Sequence, residues 1–502
     1  MSDGRPTGGA RGEGGDRRRG AGPDRSSGGP RRGGGRGGAS RGDGGRPRAD
    51  RISPARLVAY EVLAAVRGSD AYANLLLPTR IERARLSRAD AALATELTYG
   101  TLRLLGRYDA IIALAAGREV GAIDPPVLDV LRLGAHQLLA TRVPTHAAVN
   151  ESVALARRVA PPAAGFVNAV LRSVARRELD GWLELVAEEA DSPDAALAAV
   201  HSHPVWVIRA LRSALEREGR GDELVDLLEA DNASPRVNLT ALPGLAADPA
   251  ELGEPDRYSP TGLTAEAPFD LVGANGGLVR VQDEGSQLAA LALSRVAPVR
   301  PGERWLDLCS GPGGKTALLA AEALAGGAAL VANEVVPARA ELVRKAVAPV
   351  PLDVAVHVGD GRELDPAELN AAGGFDRILL DAPCTGLGAL RRRPEARWRK
   401  SPTDVAELTE LQGELADAAF AALAPGGVLA YVTCSPHAAE THGILGRALA
   451  RWGDAAEPLD TASIVQAASR HPLDLAGDGR TVQLWPHRHG TDAMFIALVR
   501  KR

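Results

Sequence analysis

Three cysteines occur in the 502 residues, and each follows an apolar run: Cys309 in WLDLCSGPGGKT, Cys384 in ILLDAPCTGLG and Cys434 in LAYVTCSPHAAE. A thiol set just past a strand-like run, as Cys384 is past Asp381, suits attack on an electrophilic carbon. C6 of cytosine is such a carbon, because thiolate addition there makes C5 enamine-like and able to attack a methyl sulfonium. A carboxyl near N3, a role for which Asp381 is suitably placed, would stabilise the developing charge. A second thiol or another base would then remove the C5 proton and help expel the enzyme. Cys384 and Cys434, both after apolar runs, fit this scheme together, and spacing leaves open which of them attacks. The competing reading for any one cysteine is a small buried hydrophobe. Cys309, inside a glycine-rich loop, reads as a structural group or a backbone contact.

That loop, Cys309, Ser310, Gly311, Pro312, Gly313, Gly314 and Lys315, joins a strand ending at Asp307 to a helix start. Glycines allow close backbone approach, and a helix N-terminus offers free N–H groups to polar or anionic parts of a ligand. A Walker A phosphate loop is an alternative for Gly314-Lys315-Thr316, but Cys309 stands where its first glycine is required. Glu334 lies 20 residues after Gly314, the interval for a carboxylate that accepts ribose hydroxyls. Asp360, in VHVGDGR, is placed to face an adenine edge, and Asp381 closes the next strand. Each of these acids alone could be a helix cap or turn aspartate. Together, at C-terminal strand ends, they indicate a nucleoside cofactor. NAD and S-adenosylmethionine both fit such a crevice. A dehydrogenase leaves DAPCTG unexplained, whereas N6-amino methyltransferases carry an aromatic residue where Cys384 stands, so the reading is S-adenosylmethionine.

Immediately beyond Cys384, RRRPEARWRK carries six basic residues and an aromatic one. Arg391, Arg392, Arg393, Arg397 and Trp398 are therefore candidate RNA contacts for a strand whose target base is unstacked. A solvated loop with Trp398 packed inward is the alternative. No His is partnered at metal-ligand spacing, His201/His203 and His487/His489 reading as caps, turns or surface groups, so no metal is expected.

The elements that must hold these residues are legible in the periodicity. A chain this long predicts two to four domains. Residues 1–50 hold 12 Arg, six acids and 18 Gly with little that is apolar, predicting a disordered tail. Ser53-Pro54 opens a helical pattern with Val58, Val62 and Val66 on one face. Further helices are predicted near 87–106, 125–141, 145–160 and 162–179, so residues 51–180 form an all-helical domain. Residues 181–235 read as a helical connector, and 236–282 as a small α/β subdomain of short strands and turns. From 283 to 502, RWLDLC, AALVANE, VAVHVGD, RILLDAP and VLAYVTC alternate with helical stretches, predicting a Rossmann-like α/β domain with a parallel sheet. The net charge is -4, so any nucleic-acid contact must come from local patches. With three cysteines, no leader-like opening and no apolar run of membrane length, a cytoplasmic monomer is expected.

The chain resembles the RsmB/Sun (Fmu) family of 16S ribosomal RNA cytosine-C5 methyltransferases, within the NOL1/NOP2/Sun group. The resemblance covers roughly residues 52–501. It rests on LDLCSGPGGKT, DAPCTGLGALRRRPEARW, TCSPHAAE and LWPHRHGTDAMFIA, and on LGAHQLLATRVPTHAAVNESVALAR and GFVNAVLRSVAR in the helical part. It implies a NusB-like RNA-binding N-terminal domain, and S-adenosylmethionine held by residues 309–315, Glu334, Asp360 and Asp381. It also implies that Cys434 of the Thr-Cys motif is the nucleophile and that Cys384 assists product release. Three departures stand out: Ser310-Gly311 where the family carries Ala-Ala, Thr441-His442 after the family glutamate at Glu440, and the Gly/Arg tail. The function expected is methylation of a specific cytosine in small-subunit rRNA. A tRNA cytosine-C5 methyltransferase and a non-catalytic RNA-binding or ribosome-assembly factor are the alternatives.

Overall fold

The computed structural model describes residues 52–69 and 71–502, so the expectation of a disordered tail at 1–50 lies outside the described residues. Proline fixes φ and has no N–H to leave unpaired, which suits the first turn of a helix. Pro54 opens the helix Pro54–Gly68 in this way, and Pro125 opens Pro125–Ala140. Ala55, Val58, Ala59, Val62 and Leu63 recur at helical spacing and are all buried. Ser87 caps Arg88–Arg103 by accepting the Asp90 N–H, and Gly117, at φ 62°, ends Leu105–Ala116 in the left-handed region that glycine tolerates. Two helices were not legible in the sequence, Ala73–Arg83 and Leu105–Ala116. With Thr145–Val159 and Ala164–Val174, the bundle closes around one core that includes Leu97, Ile111, Ile112, Leu131 and Leu171. Each such aliphatic side chain contributes roughly 1.5–3 kcal/mol on burial.

Helices Leu179–Glu188, Pro193–Val200, Val205–Arg217 and Leu224–Asn232 fill the connector. The last two do not stand apart from the C-terminal part. Val207, Leu211, Leu227 and Leu228 share a core with Leu387, Leu390, Trp485 and Ala493.

Four short strands follow, β1 (Leu239–Ala241), β2 (Glu254–Pro255), β3 (Gly262–Thr264) and β4 (Val279–Val281). They form an antiparallel sheet in the order β2-β3-β1-β4. The helix Glu284–Ser294 then leads into β5 (Arg304–Asp307), β6 (Ala329–Asn333), β7 (Ala355–His357), β8 (Phe375–Asp381), β9 (Leu423–Thr433), β10 (Ala456–Pro458), β11 (Thr481–Gln483) and β12 (Phe495–Lys501). The order is β10-β12-β9-β8-β5-β6-β7, with β11 paired to β12. Strands β5 to β9 are mutually parallel, while β12 runs antiparallel to β9.

Parallel strands covered on both faces read as continuous apolar runs, and β8 shows the two-sided burial directly. Leu379 belongs to the core on one face, Ile378 and Leu380 to the core on the other, and Ala430 and Tyr431 of β9 divide the same way. Buried Arg377 of β8 pairs with Glu303 at 2.8 Å and donates to the Leu293 and Ala297 carbonyls, which fastens the end of helix Glu284–Ser294 to the sheet. Among the described residues no helix is long and apolar enough to cross a membrane.

Candidate active site

The strand order reverses between β5 and β8: the chain runs outward from β5 through β6 to β7, then returns to β8 on the other side. Open α/β sheets bind ligands at such a switch point, beyond the C-terminal strand ends. The loop 308–313 lies there. Gly313 adopts φ 100°, and a Cβ on it would lie 2.5 Å from that of Ala346, so only glycine fits the turn into helix Gly314–Gly326. A Cβ on Gly311 would fall 2.2 Å from Glu334 Oε2. The close approach serves a bond, since the Gly311 N–H donates to that oxygen at 3.0 Å. Glu334 Oε1 accepts the Val336 N–H, and Arg339 lies 3.6 Å from Oε2. Ser310 donates through N–H and hydroxyl to the Asn333 carbonyl, and the Asn333 amide donates to the Leu308 and Gly359 carbonyls, binding the loops after β5, β6 and β7 into one frame.

Asp307 is buried at the end of β5. Its Oδ2 accepts the Thr316 hydroxyl at 2.7 Å while its buried Oδ1 has no protein donor. Burial pushes its carboxyl up to about 7 against the Thr316 bond, with Asp381 adding to the rise. Desolvation, with Asp307 next, also pushes the Cys309 thiol up, which fits a structural cysteine rather than a nucleophile. Lys315 donates to Asp381 Oδ2 at 2.8 Å. Burial opposes the Lys315 charge, but Asp381 more than offsets it and the ammonium pKa rises. Asp360 is held by Arg362, which also reaches Glu414, and the Arg362 bonds keep its carboxyl below the usual range. Acids thus stand beyond β5, β6, β7 and β8. The exposed Val335 and Val358 lie beside two of them. An unpaired buried carboxylate oxygen, a glycine cradle and a ring of acids with apolar neighbours fit a nucleoside with a cationic sulfonium arm.

The Sγ atoms of Cys384, after β8, and Cys434, after β9, lie 3.4 Å apart and half-buried. The bond to Cys434, then burial, raises the Cys384 pKa well above that of a free thiol, so Cys384 keeps its proton. The sequence reading passed over the groups that hold the two cysteine loops together. Glu440 is fully buried and accepts from the Thr385 N–H (2.8 Å), the Thr385 hydroxyl (2.5 Å), the Ser435 hydroxyl (2.6 Å) and the Gln412 amide (3.2 Å). Its place six residues after Cys434 was visible, but nothing local marks its partners.

The expected RNA-contacting strip is narrowed. Arg397 is buried and donates to the Ser202, Asp231 and Arg103 carbonyls and to Asn232 Oδ1. Arg391 is buried and donates to the Gly490 carbonyl, while Arg392 pairs with Asp492 and Asp283. A guanidinium already engaged this way could reach a phosphate only by abandoning buried acceptors. Arg393 and Trp398 remain exposed. Of the histidines expected at caps, turns or the surface, His203 is instead buried, with Nδ1 at 2.7 Å from the His201 carbonyl. His487 contacts Glu223, and His489 accepts the Trp485 N–H. Among the described residues no group of three His, Cys, Asp or Glu is placed to hold a metal.

Residues 295–500 match the family model for 16S rRNA methyltransferase RsmB/F, and residues 53–176 match that of the NusB family. A Mycobacterium tuberculosis protein, named provisionally as a methyltransferase, is 48% identical over 464 residues, spanning 91% of this chain and 98% of that protein. Ribosomal RNA small subunit methyltransferase B of Pseudomonas putida is 35% identical over 455 residues, spanning 88% of this chain and 97% of that enzyme. The crystal structure of PH0851 superposes with a TM-score of 0.70 at 23% identity, covering 90% of this chain and 99% of that one, a likeness of fold.

Proposed function

The chain belongs to the RsmB/Sun family of S-adenosylmethionine-dependent RNA methyltransferases, and on that premise we propose that it methylates C5 of a specific cytosine in 16S rRNA through a covalent bond from Cys434 to C6. The observation that carries the proposal is the pair of thiols at adjacent strand ends, 3.4 Å apart. A thiol pair has no use in a reaction at an exocyclic amine or a ribose hydroxyl, whereas C5 of cytosine must be activated by addition at C6. S-adenosylmethionine, when bound, supplies an electrophilic methyl group. Residues 309–315, Glu334, Asp360 and Asp381 would hold it.

Cys434 then acts as thiolate: its sulfur bonds to C6, the C5=C6 electrons move to C5, and Asp381 is the carboxyl that would stabilise charge on the ring near N3. Once C5 carries the methyl group, its proton leaves to a base and the C6–sulfur bond breaks, restoring the double bond and the thiolate. Cys384, kept protonated, would assist this release. The small sheet and the NusB-like bundle would grip the RNA while the base is turned out of its stack, with Arg393 and Trp398 as exposed contacts. The 16S assignment rests on the relatives named for small-subunit rRNA.

Thiol variants test the scheme. With labelled S-adenosylmethionine and 16S rRNA, Cys434→Ala should neither methylate nor form a denaturation-resistant protein–RNA adduct, while Cys384→Ala should accumulate the adduct. Methylation by Cys434→Ala would overturn the assignment.

A further inference from the structure

The chemistry proposed above needs two thiols delivered to one base by two loops that are 50 residues apart in the chain. Neither loop is regular structure: the segment after β8 runs through Pro383, Cys384 and Thr385 to a short turn at Leu387–Ala389, and that after β9 runs from Cys434 to a helix at His442–Trp452. Something must hold them in register. The residue next to each cysteine reaches the same buried carboxylate. Thr385 follows Cys384 and donates twice to Glu440, through N–H and hydroxyl, and Ser435 follows Cys434 and donates once. The Gln412 amide, on helix Pro402–Ala422, donates both to Glu440 and to the Pro383 carbonyl just before Cys384. The Tyr431 hydroxyl donates to the Glu440 carbonyl, and the Glu440 N–H donates to that of His437, so the backbone of Glu440 is held as firmly as its side chain.

We propose that Glu440 is a positioning residue that joins the Pro-Cys and Thr-Cys loops and thereby presents both thiols to the same cytosine. Every side-chain partner of its carboxylate is a donor, so the site requires an acceptor-only group with both oxygens available. Alanine would leave the Thr385 N–H and the Gln412 amide hydrogen without this acceptor, and the Thr385 and Ser435 hydroxyls, 3.1 Å apart, with only each other at the hinge between the loops. The role rests on the cytosine-C5 reading, because only that reading requires the two thiols to serve one base.

The test uses the full chain and two readouts. The first is turnover with 16S rRNA and S-adenosylmethionine. The second needs no RNA: mild oxidation with diamide, in which the two thiols give up two protons and two electrons to the diazene, which becomes a hydrazine, as one Sγ–Sγ bond forms. Peptide mapping of the Cys384–Cys434 link follows its rate. Glu440→Ala is expected to lower kcat about 100-fold, as an ångström-scale misplacement does, with the KM for S-adenosylmethionine changed by no more than about twofold. Its disulfide closure should slow by about tenfold or more, because the effective concentration of one thiol at the other falls once the loops part. Unchanged closure, or unchanged kcat, would overturn the positioning role. If Glu440→Ala does not fold, Thr385→Val decides: it keeps the N–H donor and loses the hydroxyl, so closure and kcat should both fall, by about tenfold. As with Glu440→Ala, unchanged closure or unchanged kcat overturns the proposal. A wild type that yields no 5-methylcytidine while its disulfide closes quickly would instead defeat the function reading and leave the Glu440 linkage standing.

Discussion

At the scale of single residues, the site divides into groups that carry charge and groups that decide where the charge sits. Asp307 shows the division. Its carboxyl is buried with one oxygen bonded to Thr316 and the other without a protein partner. Removing the hydroxyl by Thr316→Val should cost about 1–3 kcal/mol, the cost of stranding a buried polar group, measured as a lower unfolding midpoint for the full chain. Saturating S-adenosylmethionine should raise both midpoints by mass action and leave the difference between them in place. Cys384 and Cys434 were legible because cysteines are so rare in this chain, and Asp381 because it ends an apolar run. Glu440 was visible only as the family glutamate, and Gln412 and Ser435 not at all, since a glutamate in a loop or a glutamine on a helix has no sequence mark of being buried. The Thr385–Glu440 bonds join residues 55 apart, and only the parallel pairing of β8 with β9 brings them together.

At the scale of elements, the sheet's pattern was readable because the central parallel strands carry apolar residues on both faces and the parallel strands end in a polar or acidic residue at the same edge. The first strand ends at Asp307 as its pattern predicts, where the chain turns toward the glycine loop. The antiparallel edge was less readable: β12, antiparallel to β9, is not among the strands read from the pattern. The turn after Cys384 is tied to both neighbours. The Gly388 N–H donates to the Cys434 carbonyl at 2.9 Å, and the Gly388 carbonyl accepts the Ala493 N–H at 2.8 Å. A Cβ on Gly388 would sit 2.2 Å from the Ala493 carbonyl oxygen and 2.8 Å from that of Cys434. Gly388→Ala should therefore displace the Cys434 loop and lower kcat about 100-fold while S-adenosylmethionine affinity holds. A calorimetric titration beside a turnover assay checks both, and full turnover would show that the loop absorbs the clash.

At the scale of the whole molecule, the basic strip that looked like an RNA contact is largely the fastening between the catalytic part and the helices before it. Arg397 reaches acceptors 165 to 294 residues away, Glu395 accepts the Ala73 N–H, and Trp398 packs so closely on Gly106 that a Cβ there would lie 2.4 Å from its ring. A run of arginines reads as solvated in sequence because its partners are backbone carbonyls, which leave no compositional trace. Asp231 sits buried in this fastening, its carboxyl pushed by burial up to about 7, with Arg397 working the other way. A carboxyl raised from 3.8 when folded stabilises the protein below that value and loses its contribution as pH climbs toward 7. Asp231→Asn should therefore gain stability relative to the wild type between pH 5 and 7.5, by no more than about 1.4 kcal/mol per pH unit. Paired thermal melts at the two pH values measure it, and an unchanged difference would count against a protonated Asp231. Because the arginines hold the bundle to the catalytic part, RNA gripped by one, as proposed, would be held at a set position relative to the thiols of the other. The most direct test of that whole arrangement is nucleoside analysis of 16S rRNA after reaction with labelled S-adenosylmethionine. The account predicts label in 5-methylcytidine at one site, present with the wild type and absent with Cys434→Ala; label on another atom of the nucleotide, or label unaffected by loss of Cys434, would contradict it.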